Sequence, residues 1–121
     1  MSGRTGGPLH RELSSATVGI LGLGGIGLAT AERAAAFGMR VLACNRTTTR
    51  SVPGLAADAP IYPLSELSAM AAQCDYVVLT SALAPETEGI FSEAVIAEMK
   101  PGAFVVSTRA SPFSLVVYWY F

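Results

Sequence analysis

Apolar positions along this chain come in short runs, separated by segments with helix-like composition. Thr17 to Gly24, TVGILGLG, is an apolar run bounded by glycines, the pattern of a strand covered on both faces. Gly25 to Phe37, GIGLATAERAAAF, changes to alanine-rich helix formers with Glu32 and Arg33 together on an outer face, and Gly38 supplies a stop. Met39 to Cys44, MRVLAC, returns to a strand, so strand, helix and strand fit the length of one βαβ unit.

A loop broken by Pro and Gly runs from Ser51 to Pro60. IYPL, Ile61 to Leu64, then reads as a short third strand, and SELSAMAAQ as a helix with Ser65 as its N-cap. Asp75 to Ala82, DYVVLTSA, is the next predicted strand, followed by a loop at Pro85 to Gly89. Ser92 to Met99 forms a helix with N-cap Ser92 and Glu93 in its first turn, closed by Lys100-Pro101-Gly102. Ala103 to Thr108 is the fifth strand. Strands alternating with helices at this spacing need crossover connections, which predicts an α/β fold: a Rossmann-type doubly wound parallel sheet in three α/β/α layers.

Length and charge narrow the possibilities. The 121 residues suffice for one compact domain. They are 51% hydrophobic and only 14% charged, as expected for strands covered on both faces or for a surface that waits for a partner. A net charge of -1 with scattered basic residues gives no footprint for nucleic acid. Cys44 and Cys74, each beside an apolar run and without ligand-spaced neighbours, read as buried, reduced and structural, so no metal site is expected. The leader Met1 to Ser15 lacks an apolar signal region, and no segment has the ~18 apolar residues of a membrane span, so a cytoplasmic location away from membranes is expected.

Gly22-Leu23-Gly24-Gly25-Ile26-Gly27 fits the pattern G-x-G-x-x-G between a predicted strand and a predicted helix. In that setting Gly22 permits a tight turn, Gly24 lets backbone approach a pyrophosphate and Gly27 lets helix pack on strand. The N–H groups and positive dipole end of the helix face the phosphates. A glycine turn that serves packing alone is the competing reading.

Dinucleotide folds place an Asp or Glu at the end of the second strand to accept hydrogen bonds from the adenosine ribose. This chain has Asn45-Arg46-Thr47-Thr48-Thr49-Arg50 there, with no carboxylate. A carboxylate would repel a 2′-phosphate, whereas Arg46 and Arg50 can pair with one and Thr47 and its neighbours can donate hydroxyl bonds, so NADP is expected in preference to NAD. The alternative is a solvated polar loop.

From about Glu12 to Thr108 the chain resembles the NAD(P)-binding domain of the D-isomer-specific 2-hydroxyacid dehydrogenases. The resemblance rests on TVGILGLGGIG, AAFGMRVLACNR, LSEL, CDYVVLTSALAPETEGIF and EMKPGAFVVSTR in the family's order and spacing. It implies that Gly25 and Ile26 lie under the pyrophosphate and that Asn45 replaces the ribose-binding Asp. It places Ser81 and Thr87 near the nucleoside parts, where the alternative is loop capping, and Thr108 near the nicotinamide. Arg46 is similar to its counterpart in the NADPH-preferring glyoxylate and hydroxypyruvate reductases of that family. Asp75 reads as a turn or cap residue rather than a catalyst.

The chain also departs from the family. Family members close the fifth strand with Asn, two small residues and Arg-Gly, and the Arg clamps the substrate. Here VVSTRAS puts Arg109 one position early, which reverses side-chain direction in a strand. The family's later catalytic Glu and His have no counterpart, since His10, in the leader, is the single histidine. The expected division is a flexible leader at 1–15, a partial domain at 16–110, incomplete at its C-terminal side, and a divergent apolar tail at 111–121. Leu115 to Phe121 is uncharged, aromatic and β-branched, which fits either a truncated or misread product or a strand added to the sheet edge.

The expected function is therefore cofactor binding by the NAD(P) domain of an oxidoreductase, with a 2-oxo or 2-hydroxy acid substrate taken only in a full-length form. Family members usually dimerise. A nucleotide-responsive interaction module, similar to corepressors that resemble these dehydrogenases, is the alternative, and another Rossmann-like binder such as a methyltransferase ranks third.

Overall fold

The computed structural model describes residues 14–49, 51–52, 54–56, 59–80 and 91–107, together with the backbone of 116–119. Five strands, β1 (Thr17–Leu21), β2 (Arg40–Cys44), β3 (Ile61–Tyr62), β4 (Tyr76–Leu79) and β5 (Phe104–Ser107), pair in parallel, and β6 (Val116–Trp119) runs antiparallel to β5. The order is β3-β2-β1-β4-β5-β6, so the chain builds outward from β1 in one direction and then crosses to its other side. That reversal opens a crevice beyond the carboxyl ends of β1 and β4, where open α/β sheets bind ligands. At the β5 edge of the sheet, the backbone of 116–119 pairs as an added antiparallel strand.

Side-chain alternation along the strands feeds two cores. Val18, Ile20, Val41 and Ala43 face α1 (Gly25–Ala36), which buries Ala31 and Ala34 against them. Leu21, Leu42, Cys44, Val77, Leu79 and Val105 point the other way, toward α2 (Leu67–Ala71) and α3 (Glu93–Ala97). Helices on both faces of a parallel sheet make the expected three-layer α/β fold. On the α1 face, Tyr76 and Phe104 stack with ring centroids 5.5 Å apart and stay half-buried.

Several boundaries differ from the sequence reading. β1 stops at Leu21 rather than Gly24, because Gly22 takes φ 99 and turns the chain. The third strand ends at Tyr62, since Pro63 has no N–H to continue the ladder. Ser65 is not a helix N-cap: Pro63, extended at φ -71 and ψ 162, caps a 3₁₀ turn over Leu64–Glu66, and its carbonyl accepts from Glu66 N at 2.9 Å. Ser92 does stand at an N-cap, although its side chain makes no cap bond and the helix is shorter than expected. Ser14 and Ser15, placed in the leader by sequence, have helical backbone.

Candidate functional site

The turn between β1 and α1 is fastened from three sides. Gly22 N donates to the carbonyl of Cys44 at the end of β2, at 2.9 Å. Leu23, almost fully buried, donates its N–H to Asn45 Oδ1 at 3.1 Å. From across the crevice, the Thr80 hydroxyl lies 2.8 Å from the Gly22 carbonyl oxygen and 3.2 Å from that of Leu21, while Thr80 N donates to the Leu21 carbonyl at 2.9 Å. Thr80 was missed by sequence reasoning, since a single hydroxyl at a strand end carries no local signal.

The glycines of the motif have distinct surroundings. A Cβ at Gly27 would run into the Gly22 carbonyl oxygen and sit 2.9 Å from Thr80 Oγ1, so only hydrogen fits between helix and strand end. Among the described residues, a Cβ at Gly24 or Gly25 would meet nothing within 4 Å. Gly24 is the N-cap of α1 without a side-chain cap bond, and the first turn holds no acidic residue. Ile26, at 46% exposure, flanks the same opening. Backbone N–H groups at a dipole's positive end, with space before them among the described residues and no acidic residue in the first turn, fit a diphosphate.

At the tip of β2, Asn45 is half-buried, and Arg46, Thr47, Thr48 and Thr49 are exposed. Asn45 N donates to the Tyr62 carbonyl at 3.0 Å, fixing the strand end against β3. Its side chain bridges two segments, with Oδ1 accepting from Leu23 N and Nδ2 donating to the Thr47 carbonyl at 2.9 Å. The structure thus brings Gly22, Gly24, Gly25, Ile26, Gly27, Asn45, Arg46 and Thr47 to one end of the sheet. Arg50, Ser81, Thr87, Thr108 and Arg109 lie outside the described residues, as does His10.

A cavity of about 500 Å³ occupies the other end, lined by Ser15, Asp75, Tyr76, Lys100 and Phe104 among others. It is remote from the glycine turn, because these residues precede or begin strands whose far ends form the crevice. Asp75 acts there as the expected capping residue: Oδ2 accepts from Thr17 N at 2.9 Å, and Oδ1 pairs with Lys100 Nζ at 3.2 Å. Both cysteines are buried free thiols. Burial, reinforced by the Glu66 carboxylate, pushes the Cys44 thiol up to about 12. Burial and then Asp75 push Cys74 up to about 12, against smaller opposing effects of Lys100 and Arg40. No described helix is long and apolar enough to cross a membrane.

Residues 3–111 match the family model of the D-isomer specific 2-hydroxyacid dehydrogenase NAD binding domain. The chain is 38% identical over 101 residues to a hydroxypyruvate reductase of Blautia hydrogenotrophica, covering 84% of this chain and 30% of that protein. It is 41% identical over 99 residues to a glyoxylate reductase of Thermococcus onnurineus, covering 82% of this chain and 28% of the relative. Among solved structures, a D-isomer specific 2-hydroxyacid dehydrogenase from Xanthobacter autotrophicus Py2, in complex with NADPH and MES, superposes with a TM-score of 0.72 at 29% identity, over 82% of this chain and 39% of that one. The chain therefore spans less than a third of the two curated relatives.

Proposed function

The chain belongs to the D-isomer specific 2-hydroxyacid dehydrogenases and spans their NAD binding domain, and from that premise we propose that the nicotinamide dinucleotide it holds is NADP(H) in preference to NAD(H). One observation carries this reading. Where a ribose-binding acid would repel a 2′-phosphate, the β2 tip offers the Arg46 guanidinium and the hydroxyls of Thr47 to Thr49, and Asn45 is hydrogen-bonded to the glycine turn itself. Similar structures are solved with either dinucleotide, NADPH in the protein from Xanthobacter autotrophicus and NAD in one from Lactobacillus delbrueckii, so the choice rests on the β2 tip.

In this reading the N–H groups at Gly24, Gly25 and Ile26 receive the pyrophosphate, with Gly22 and Gly27 shaping the turn. Arg46, Thr47 and Arg50 meet the 2′-phosphate, Ser81 and Thr87 approach the nucleoside parts, and Thr108 lies toward the nicotinamide. Arg109 is the candidate substrate contact. The dinucleotide supplies hydride transfer, and the protein supplies its placement. In a protein with the full length of its relatives, we assign the domain to reduction of a small 2-oxo acid such as glyoxylate or hydroxypyruvate, in keeping with the two reductases it resembles. An alternative role as an interaction module finds no support in these likenesses.

The test compares NADPH and NADH affinities for the chain and for Arg46→Ala by calorimetric titration. Loss of the guanidinium should weaken NADPH by about 1.5–3 kcal/mol and leave NADH nearly unchanged. Equal binding of the two dinucleotides by the unaltered chain overturns the preference.

A further inference from the structure

Asn45 raises a question that the lack of a carboxylate does not answer, since many neutral residues would avoid repelling a phosphate. Its two side-chain contacts supply an answer. The Leu23 amide can only donate and the Thr47 carbonyl can only accept, so the group between them must present an acceptor and a donor on one carbon. The amide of Asn does so at this side-chain length. Asp would keep the Leu23 bond but set a carboxylate oxygen against the Thr47 carbonyl, and Ser is too short to span both.

We propose that Asn45 is a positioning residue for cofactor choice: its amide ties the phosphate turn at Leu23 to the Arg46-Thr47 segment and so holds the guanidinium at the distance a 2′-phosphate needs from the pyrophosphate. This rests on the NADP(H) reading above. Arg46 is an exposed residue on the loop that follows β2, and ordering the backbone of such a loop costs conformational entropy. Fixing the backbone on both sides of Arg46, through the Asn45 N–H to Tyr62 and the Asn45 amide to Thr47, restricts that segment before any ligand arrives. Pre-organisation of this kind favours the dinucleotide that uses the guanidinium and is neutral toward the one that does not.

The experiment is a double-mutant cycle on the full chain, titrated with NADPH and with NADH, and read as the ratio of NADH to NADPH dissociation constants. Asn45→Ala should lower that ratio about fivefold while Arg46 is present and by clearly less, through Thr47 alone, in the Arg46→Ala background. A residue needed only for the fold would weaken both dinucleotides alike and leave the ratio where it was, which overturns the proposal, as does an equal fall of the ratio in both backgrounds. Asn45→Ser, which keeps a small polar residue suited to the same backbone, is the second variant should Asn45→Ala not fold, and it carries the same expectation. If Arg46→Ala itself leaves the ratio unmoved, the NADP(H) reading fails and this one with it. If Arg46→Ala acts and both Asn45 variants do not, the tether alone is refuted.

Discussion

Gly27 lies against Gly22 so closely that a methyl group at position 27 would collide with the Gly22 carbonyl oxygen, whereas the same group at Gly24 or Gly25 would meet none of the described residues. The glycines of one motif thus divide into a pair that closes the fold and a pair that leaves room for a ligand.

Gly27→Ala is expected to destabilise the chain by roughly 1–3 kcal/mol, because backbone must move to admit the added carbon. Gly24→Ala and Gly25→Ala should change stability by no more than about 0.5 kcal/mol. They should nevertheless weaken both dinucleotides about tenfold, since the new methyl stands where the phosphates approach. Urea denaturation and calorimetric titration of the three variants separate the two classes. A Gly24→Ala chain that binds as well as the parent would place the pyrophosphate elsewhere.

Thr80→Val removes the hydroxyl that reaches the Gly22 and Leu21 carbonyl oxygens and keeps the side-chain shape. Loss of this partly buried hydrogen bond should cost about 1–2 kcal/mol in denaturant unfolding, and Thr80→Ser should recover most of it. NADPH and NADH should weaken together in Thr80→Val, in contrast to Arg46→Ala, because the turn serves the pyrophosphate that both share.

Folding keeps both thiols neutral far above their ordinary value of 9.0, to about 12. A raised folded-state value contributes stability that is fully present below pH 9 and is lost as the pH climbs toward 12, because the unfolded chain then releases protons that the folded chain retains. The denaturation midpoint should therefore be insensitive to these groups near about pH 7 and fall as the pH rises past about 9, with a shallower fall in Cys44→Ala and Cys74→Ala after allowance for their lost packing. At about pH 8, Ellman's reagent should react with the two thiols slowly in the native chain and rapidly in denaturant. Fast native labelling would contradict the burial.

The β1-α1-β2 unit was legible because its signals are local: an apolar run, six residues of glycine pattern, then alanine-rich helix formers closed by Gly38. The buried character of Cys44 and Cys74 followed from their apolar neighbours in the same way. Ser65 misled because Pro63, two residues earlier, starts the turn with its own carbonyl, so the best capping side chain in the segment arrives too late to cap. Thr80 and the two-sided bonding of the Asn45 amide were invisible for a different reason. Each depends on a partner supplied by folding, 58 residues away for Thr80 and Gly22, and 22 for Asn45 and Leu23.

That span of 58 residues between Thr80 and Gly22 also makes the turn dependent on a distant part of the chain. Helix α1 can form from neighbours in sequence, but the turn before it gains its last restraint only when β4 docks beside β1 and closes a long loop. Nucleotide binding by this turn thus depends on the completed β1–β4 crossing, and a ligand present in solution would favour chains that have made it.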